Sequence, residues 1–138
     1  MSGDNCWKLL NNHFRTPVIV CELHIYSHLT SNWHQLEPVI VDTGYDGDIL
    51  LAYNIYQDLG FTFAELSSIA FAKAESVDGT SFVLRGSVTK ARWAGNEQEI
   101  RIETVKGNEE TLIGRGLLLR ASNRYDHRAR EFCVLLEP

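Results

Sequence analysis

Residues 39–51 constrain the fold of this chain more than any other stretch. The β-branched run Val-Ile-Val is typical of a buried strand, and it leads directly into Asp42. Thr43 and Gly44 follow at once, and a second apolar run begins a few residues later. A carboxylate at the end of a buried strand is costly to leave unpaired. We therefore expect Asp42 to have a partner, and the nature of that partner decides what the chain does.

Composition narrows the class of protein. The chain has 138 residues, which predicts one domain with one core, and its net charge of -5 argues against a nonspecific grip on nucleic acid or anionic lipid. The sparse cysteines, Cys6, Cys21 and Cys133, argue against a disulfide scaffold and favour a reducing compartment. Residues 1–10 lack the apolar core of a secretory signal, and no apolar run approaches a membrane span. We expect a cytoplasmic protein.

Many short apolar runs separated by turn signals predict an all-β barrel or sandwich. The predicted strands cover residues 18–26, 38–42, 49–51, 69–72, 81–84, 87–93, 98–104 and 132–136. Apolar spacing predicts a helix over residues 52–60, with Gly60 as its cap, and a short helix within residues 4–14. The polar residues 27–37 predict a hairpin loop.

A second motif occupies residues 111–119, where two apolar residues and a glycine precede Arg115 and a leucine run. With the Asp-Thr-Gly turn, in this order, the chain resembles the retropepsin-like aspartic proteases. The resemblance implies an all-β fold, namely a closed acid-protease-like barrel with one or two short helices and one lobe per chain. It covers residues 1–138, with residues 1–16 as an N-terminal extension.

The resemblance implies Asp42, Thr43 and Gly44 as the catalytic turn. One chain supplies one carboxylate, whereas this chemistry needs two that lie ~3 Å apart and share a proton. A homodimer with Asp42 from each subunit on a two-fold axis would build that pair. No cofactor and no metal is implied.

Further residues receive roles from the same resemblance. The apolar-apolar-Gly segment is expected to pack beside the catalytic turn, and an ion pair is expected between Asp46 and Arg115. Residues 77–80 occupy the position of the flap, a mobile hairpin over the cleft. The expected substrate contacts are Asp46, Asp48, Val77, Asp78, Gly79, Thr80 and Ile113, and the expected supports of the site are Leu112, Gly114 and Arg115.

Other interpretations carry less weight. Cys21 and His24 are three apart on a predicted strand and so point to opposite faces, which argues against a zinc site with His28 and His34. The arginines at positions 115, 120, 124, 128 and 130 are typical of a solvated face more than of nucleic-acid binding. Residues 132–136 fit either the core or a dimer strand.

The sequence thus predicts an aspartic endopeptidase that holds an extended peptide between the flap and the floor of the cleft. The alternative from another class is a catalytically silent, dimeric peptide-binding or interaction module with the same barrel.

Overall fold

The computed structural model describes residues 5–8, 20–65, 73–75, 81–93, 95–126 and 128–135. These residues form two short α-helices, α1 (Tyr53–Asp58) and α2 (Arg115–Leu118), and a 3₁₀ turn, Phe61–Phe63. The strands are β1 Asn5–Lys8, β2 Val20–Ser27, β3 Asn32–Val41, β4 Ile49–Leu50, β5 Lys73–Glu75, β6 Ser81–Val83, β7 Arg85–Trp93, β8 Asn96–Thr104, β9 Leu112–Ile113, β10 Ser122–Asp126 and β11 Glu131–Leu135.

Six strands close into a barrel in the order β2-β3-β9-β4-β8-β7. Alternation along β7 shows how the sequence builds it, because Ala91 and Trp93 are buried while Lys90 and Arg92 face solvent. The largest fully buried side chains of the interior include Leu23, Ile25, Tyr56, Ile100, Ile102 and Leu117. The prediction of an all-β barrel with short helices is confirmed.

The second sheet has three strands in the order β1-β11-β10, so β11 is paired along both edges. Phe132 and Val134 of β11 are buried in the core cluster. The chain therefore uses this part of residues 132–136 as core. Within the described residues, no helix is long and apolar enough to cross a membrane.

The N-terminal helix prediction is wrong for residues 5–8, which form β1 instead. β1 pairs antiparallel with β11, and a disulfide joins Cys6 to Cys133 across the pair. The ring of Trp7 stacks on Phe132 with centroids 6.3 Å apart. Contacts with a strand more than a hundred residues away override the local helical spacing.

The hairpin predicted at residues 27–37 is present, but its loop is shorter than predicted, because β3 already begins at Asn32. β2 and β3 form a continuous antiparallel pair in which Tyr26 lies opposite Trp33. The register shifts by one residue between Cys21 and Leu23, which is where Pro38 falls in β3. A bulge accommodates proline in a strand because no ladder hydrogen bond is needed there.

Two local predictions are confirmed. α1 lies within the predicted residues 52–60, and Gly60 follows it in the left-handed conformation with φ of 80°. β6 lies within the predicted residues 81–84 and pairs antiparallel with β5. Residues 69–72, predicted as the first arm, lie outside the described residues, and the described arm is Lys73–Glu75.

Candidate active site

The two sequence motifs meet in the barrel wall. β9 lies between β3 and β4, parallel to the former and antiparallel to the latter. The main-chain N–H of Asp42 donates to the carbonyl of Ile113 at 2.9 Å, and Ile40 donates in the same way to Thr111. The apolar-apolar-Gly segment therefore packs directly beside the Asp-Thr-Gly turn, as predicted.

Asp42 ends β3 at the edge of the barrel. Its side chain is half-buried, whereas Thr43 and Gly44 are exposed. Asp42 Oδ1 accepts a hydrogen bond from the main-chain N–H of Gly44 at 2.8 Å, and within the described residues this is the only hydrogen bond of the carboxylate. The turn therefore fixes one oxygen and leaves the other available for a further partner.

The loop after the turn is fastened to the start of α2. The carbonyl of Tyr45 accepts from the N–H of Arg115 at 2.8 Å, and the carbonyl of Gly47 accepts from Gly116 at 3.0 Å. The carbonyl of Asp48 accepts from Gly114 at 3.0 Å. The first N–H groups of a helix lack intrahelical partners, so the loop supplies what the helix needs.

The close contact between the loop and the start of α2 explains why two glycines, Gly114 and Gly116, occur there. A Cβ at Gly114 would lie 2.4 Å from the carbonyl oxygen of Gly47, and a Cβ at Gly116 would lie 2.5 Å from Asp48 Oδ1. Gly114 has φ of -101°, which any residue adopts. Close approach of the two backbones therefore requires glycine at position 114.

Asp48 is the buried acid of the loop, with 7% of the residue exposed. Its Oδ2 accepts from Arg120 Nη2 at 2.7 Å and from the main-chain N–H of Arg101 at 3.0 Å. Arg120 also donates to the carbonyl of Glu99 at 2.6 Å. The carboxylate thus joins the loop, β8 and the end of α2.

The expected ion pair between Asp46 and Arg115 is corrected by this arrangement. Among the ion pairs of the described residues, the loop's pair is Asp48–Arg120, and Asp46 and Arg115 are both exposed. Arg115 contributes its main-chain N–H instead. Asp48, expected as a substrate contact, is reassigned to support of the loop because both groups that its Oδ2 contacts belong to the protein.

Tyr45, which sequence reasoning missed, ties the turn to β8. Its hydroxyl donates to Glu103 Oε1 at 2.5 Å. Burial raises the pKa of the Tyr45 phenol far above its ordinary value, and the hydrogen bond to the Glu103 carboxylate raises it further. The only sequence signal is that an aromatic residue follows the glycine of the turn.

A polar cavity of about 330 Å³ opens beside the loop. It is lined by Asp46, Gly47, Asp48, Arg101 and Glu103. Of these residues, Asp46 is an exposed acid that the sequence predicted as a substrate contact. Three of its lining residues, 46–48, belong to the loop that follows the Asp42 turn in the sequence.

The remaining predicted site residues divide into three groups. Ile113, expected at the substrate, is 0% exposed and belongs to the core cluster, so in this chain it is a packing residue. Leu112 is half-buried in β9 beside it. Val77, Asp78, Gly79 and Thr80 lie outside the described residues, although β5 and β6 on either side are paired.

Within the described part of the chain, one group of three potential metal ligands comes together, Cys6, Glu131 and Cys133. Two of these residues form the disulfide, so their sulfurs are bonded to each other. His34 of the proposed zinc alternative contacts Thr30 Oγ1 through Nε2 at 2.7 Å.

The chain has the fold of the retropepsin-like aspartic proteases. Its features are the closed barrel, the short strand β9 between β3 and β4, and the loop that is hydrogen-bonded to the start of α2. One solved structure with this fold is a retropepsin-like aspartic protease from Rickettsia conorii, with a TM-score of 0.58 and 18% identity over 97% of this chain and 93% of that one. Another is EIAV protease in complex with the inhibitor HBY-793, with a TM-score of 0.53 and 17% identity over 81% of this chain and 93% of that one. No family model and no curated protein matches the sequence. At these identities the likeness establishes the fold alone.

Proposed function

We propose that this chain is an aspartic endopeptidase that acts as a homodimer, with Asp42 of each subunit forming the catalytic pair. The observation that carries the proposal is the direct pairing of the Asp42 turn with β9. The pairing leaves Asp42 half-buried with a single internal hydrogen bond among the described residues, and Thr43 and Gly44 exposed beside it.

The chemistry follows from one carboxylate meeting its symmetry mate. Two carboxylates in contact cannot both ionise, so the pair holds one shared proton. The ionised member takes a proton from water as the water oxygen attacks the peptide carbonyl, and the protonated member donates to the carbonyl oxygen. When the tetrahedral intermediate collapses, its C–N bond breaks and the amine takes up a proton from the pair. A hydroxyl of the intermediate returns a proton to the pair, which leaves a carboxylic acid and restores the shared proton.

The neighbouring residues receive supporting roles in this proposal. Thr43, exposed at the turn, would contact the partner's turn and hold the two copies together. Gly44 lets the substrate backbone approach closely, since it carries no side chain. The substrate is an extended peptide or protein segment, covered by the hairpin of β5 and β6 and by residues 77–80 between them.

We further propose that residues 1–138 act as one domain and that the protein works in the cytoplasm, without nucleic acid or membrane as a partner. The net charge of -5 supports the proposal that nucleic acid is not a partner. The cysteine argument for a reducing compartment is weakened by the Cys6–Cys133 disulfide. A disulfide in that compartment is expected to be transient or redox-sensing.

The test is cleavage of an unstructured protein at acid pH by the full chain, followed by mass spectrometry of the products. Asp42→Asn should abolish cleavage. Asp58→Asn is the matched control, because Asp58 is an exposed carboxylate at the end of α1 and should leave cleavage unchanged. Equal activity of Asp42→Asn and wild type would overturn the proposal.

The alternative function, a silent peptide-binding module, predicts a different outcome of the same experiment. Such a module would bind peptides with a measurable Kd and release no products at any pH. Sedimentation analysis completes the test, since a strictly monomeric chain at working concentration has no second Asp42 to form the pair.

A further inference from the structure

The disulfide between Cys6 and Cys133 lies in one row of the three-stranded sheet. Cys6 is directly opposite Cys133 in the pairing of β1 with β11, and Arg124 is directly opposite Cys133 on the other side, in β10. Phe132 and Val134 on either side of Cys133 enter the core, so the side chain of Cys133 points to the opposite face. The sulfurs are therefore on the face of the sheet that is turned away from the core.

The two sulfurs differ in their surroundings. Cys6 is exposed, whereas Cys133 is 1% exposed. The guanidinium of Arg124 lies 3.9 Å from the sulfur of Cys133. The carboxylate of Glu131 lies within 4.8 Å of both sulfurs and opposes negative charge on either one. A thiol from solution can thus reach Cys6, and a cation is in place to stabilise a thiolate on Cys133.

We propose that the Cys6–Cys133 bridge is a thiol–disulfide exchange site, attacked at Cys6 by small thiols, and that its opening releases β1 from the edge of β11. The inference does not depend on the proposed protease activity.

The exchange has two balanced steps. A small thiolate attacks the sulfur of Cys6, forms a mixed disulfide there and expels Cys133 as a thiolate beside Arg124. A second small thiolate then attacks the sulfur of the small thiol that is bound to Cys6. This step releases Cys6 as a thiolate and forms a disulfide between the two small thiols. Two electrons pass from the two small thiols to the protein, and both cysteine thiolates take protons from water.

Release of β1 follows from how little else holds it. β1 has four residues, and among the described strands it pairs with β11 alone. Besides the bridge, the ring of Trp7 stacks on Phe132 and packs against the core cluster. A short edge strand with a single neighbour belongs to the least stable part of a sheet. Without the bridge, the edge of β11 that β1 covers would open and present unpaired main-chain groups.

The experiment equilibrates the native full chain with reduced and oxidised glutathione, traps the thiols and locates the adducts by peptide mass spectrometry. Hydrogen exchange of residues 5–8 and 131–135 is measured on the same samples. We expect mixed disulfide at Cys6, with little on Cys133, and at least a tenfold loss of amide protection in β1 on reduction. Protection in β7 and β8 should not change.

Four variants make the test specific. Arg124→Gln should slow opening of the bridge severalfold, while Arg128→Gln, an exposed arginine in the turn before β11, should not. Cys6→Ser should show the low protection of β1 without any reductant, and Cys133→Ala gives the same readout should Cys6→Ser fail to fold. A bridge that glutathione opens only in denaturant would overturn the proposal. Adducts mainly on Cys133, or unchanged protection of β1 after reduction, would equally overturn it.

Discussion

Asp48 and Arg120 form the ion pair that holds the loop after the Asp42 turn, with Oδ2 and Nη2 2.7 Å apart across 72 residues of sequence. The Asp48 side chain is 10% exposed and that of Arg120 is 37% exposed. The carboxylate of the pair is therefore largely buried, whereas the guanidinium is partly exposed to solvent. Loss of the guanidinium leaves a buried carboxylate that, among the described residues, has the N–H of Arg101 as its remaining partner.

Arg120→Ala should therefore lower the free energy of unfolding by about 2 kcal/mol, below the range for fully buried pairs because Arg120 is partly exposed. Arg115→Ala is the matched control and should change it by less than about 0.5 kcal/mol, since the exposed Arg115 acts through its main chain. Urea denaturation measures both. A larger loss in Arg115→Ala than in Arg120→Ala would restore the ion pair predicted from sequence and contradict the structure.

Gly114→Ala should destabilise the protein by about 1–3 kcal/mol, because the new Cβ would lie 2.4 Å from the carbonyl oxygen of Gly47. Gly107→Ala is the control that separates the steric effect of a new Cβ from the effect of backbone conformation. Gly107 has φ of 88° and nothing within 4 Å of a Cβ, so only the conformational cost of about 1 kcal/mol applies there. Thermal unfolding checks the order, and a Gly114→Ala variant as stable as wild type would show that the loop and α2 are not in contact.

Tyr45→Phe should flatten the loss of stability at high pH. The folded state raises the pKa of the Tyr45 phenol above its unfolded value near 10, so the folded state favours the neutral form. This contribution is fully present below pH ~10 and is lost as pH rises beyond it, because the unfolded chain then releases a proton that the folded chain retains.

Unfolding free energies measured from pH 8 to pH 12 test that sign. Wild type should lose stability more steeply than Tyr45→Phe above pH ~10, although the variant is less stable at pH 8 since it lacks the bond to Glu103. Parallel slopes in wild type and Tyr45→Phe would contradict the buried, hydrogen-bonded phenol.

Reduction of the disulfide should lower stability strongly, because the bridge spans 127 residues of sequence. The loss of loop-closure entropy in the unfolded chain corresponds to about 4–5 kcal/mol as an upper estimate. Urea unfolding with and without reductant measures the difference, and Cys21→Ser keeps the bridge as a control. An unchanged midpoint on reduction would mean that the two cysteines are not joined in solution.

The sequence predicted the part of the fold that local patterns determine. The strand before Asp42, the helix ended by Gly60 and the β7–β8 pair all follow from alternation and turn residues. The meeting of the two motifs was predicted through resemblance, and the hydrogen bond from Asp42 to Ile113 confirms it.

The errors share a physical cause. Residues 5–8 form a strand because Cys6 and Trp7 meet partners on β11, and no local pattern contains that information. The ion pair was assigned to Asp46 and Arg115, whereas the loop turns Asp48 inward. Which acid of this irregular loop points inward depends on which backbone carbonyls bind to α2. Local sequence patterns do not contain that information, so the prediction was two residues away from the observed acid.

The most direct test of the central proposal mixes wild type with Asp42→Asn at constant total concentration, after full subunit exchange. If each active site takes one Asp42 from each of two chains, mixed dimers are inactive and activity falls with the square of the wild-type fraction. An equal mixture should then retain about a quarter of the wild-type activity. A linear decrease, with about half of the activity in the equal mixture, would mean that each chain acts alone and would contradict the shared pair.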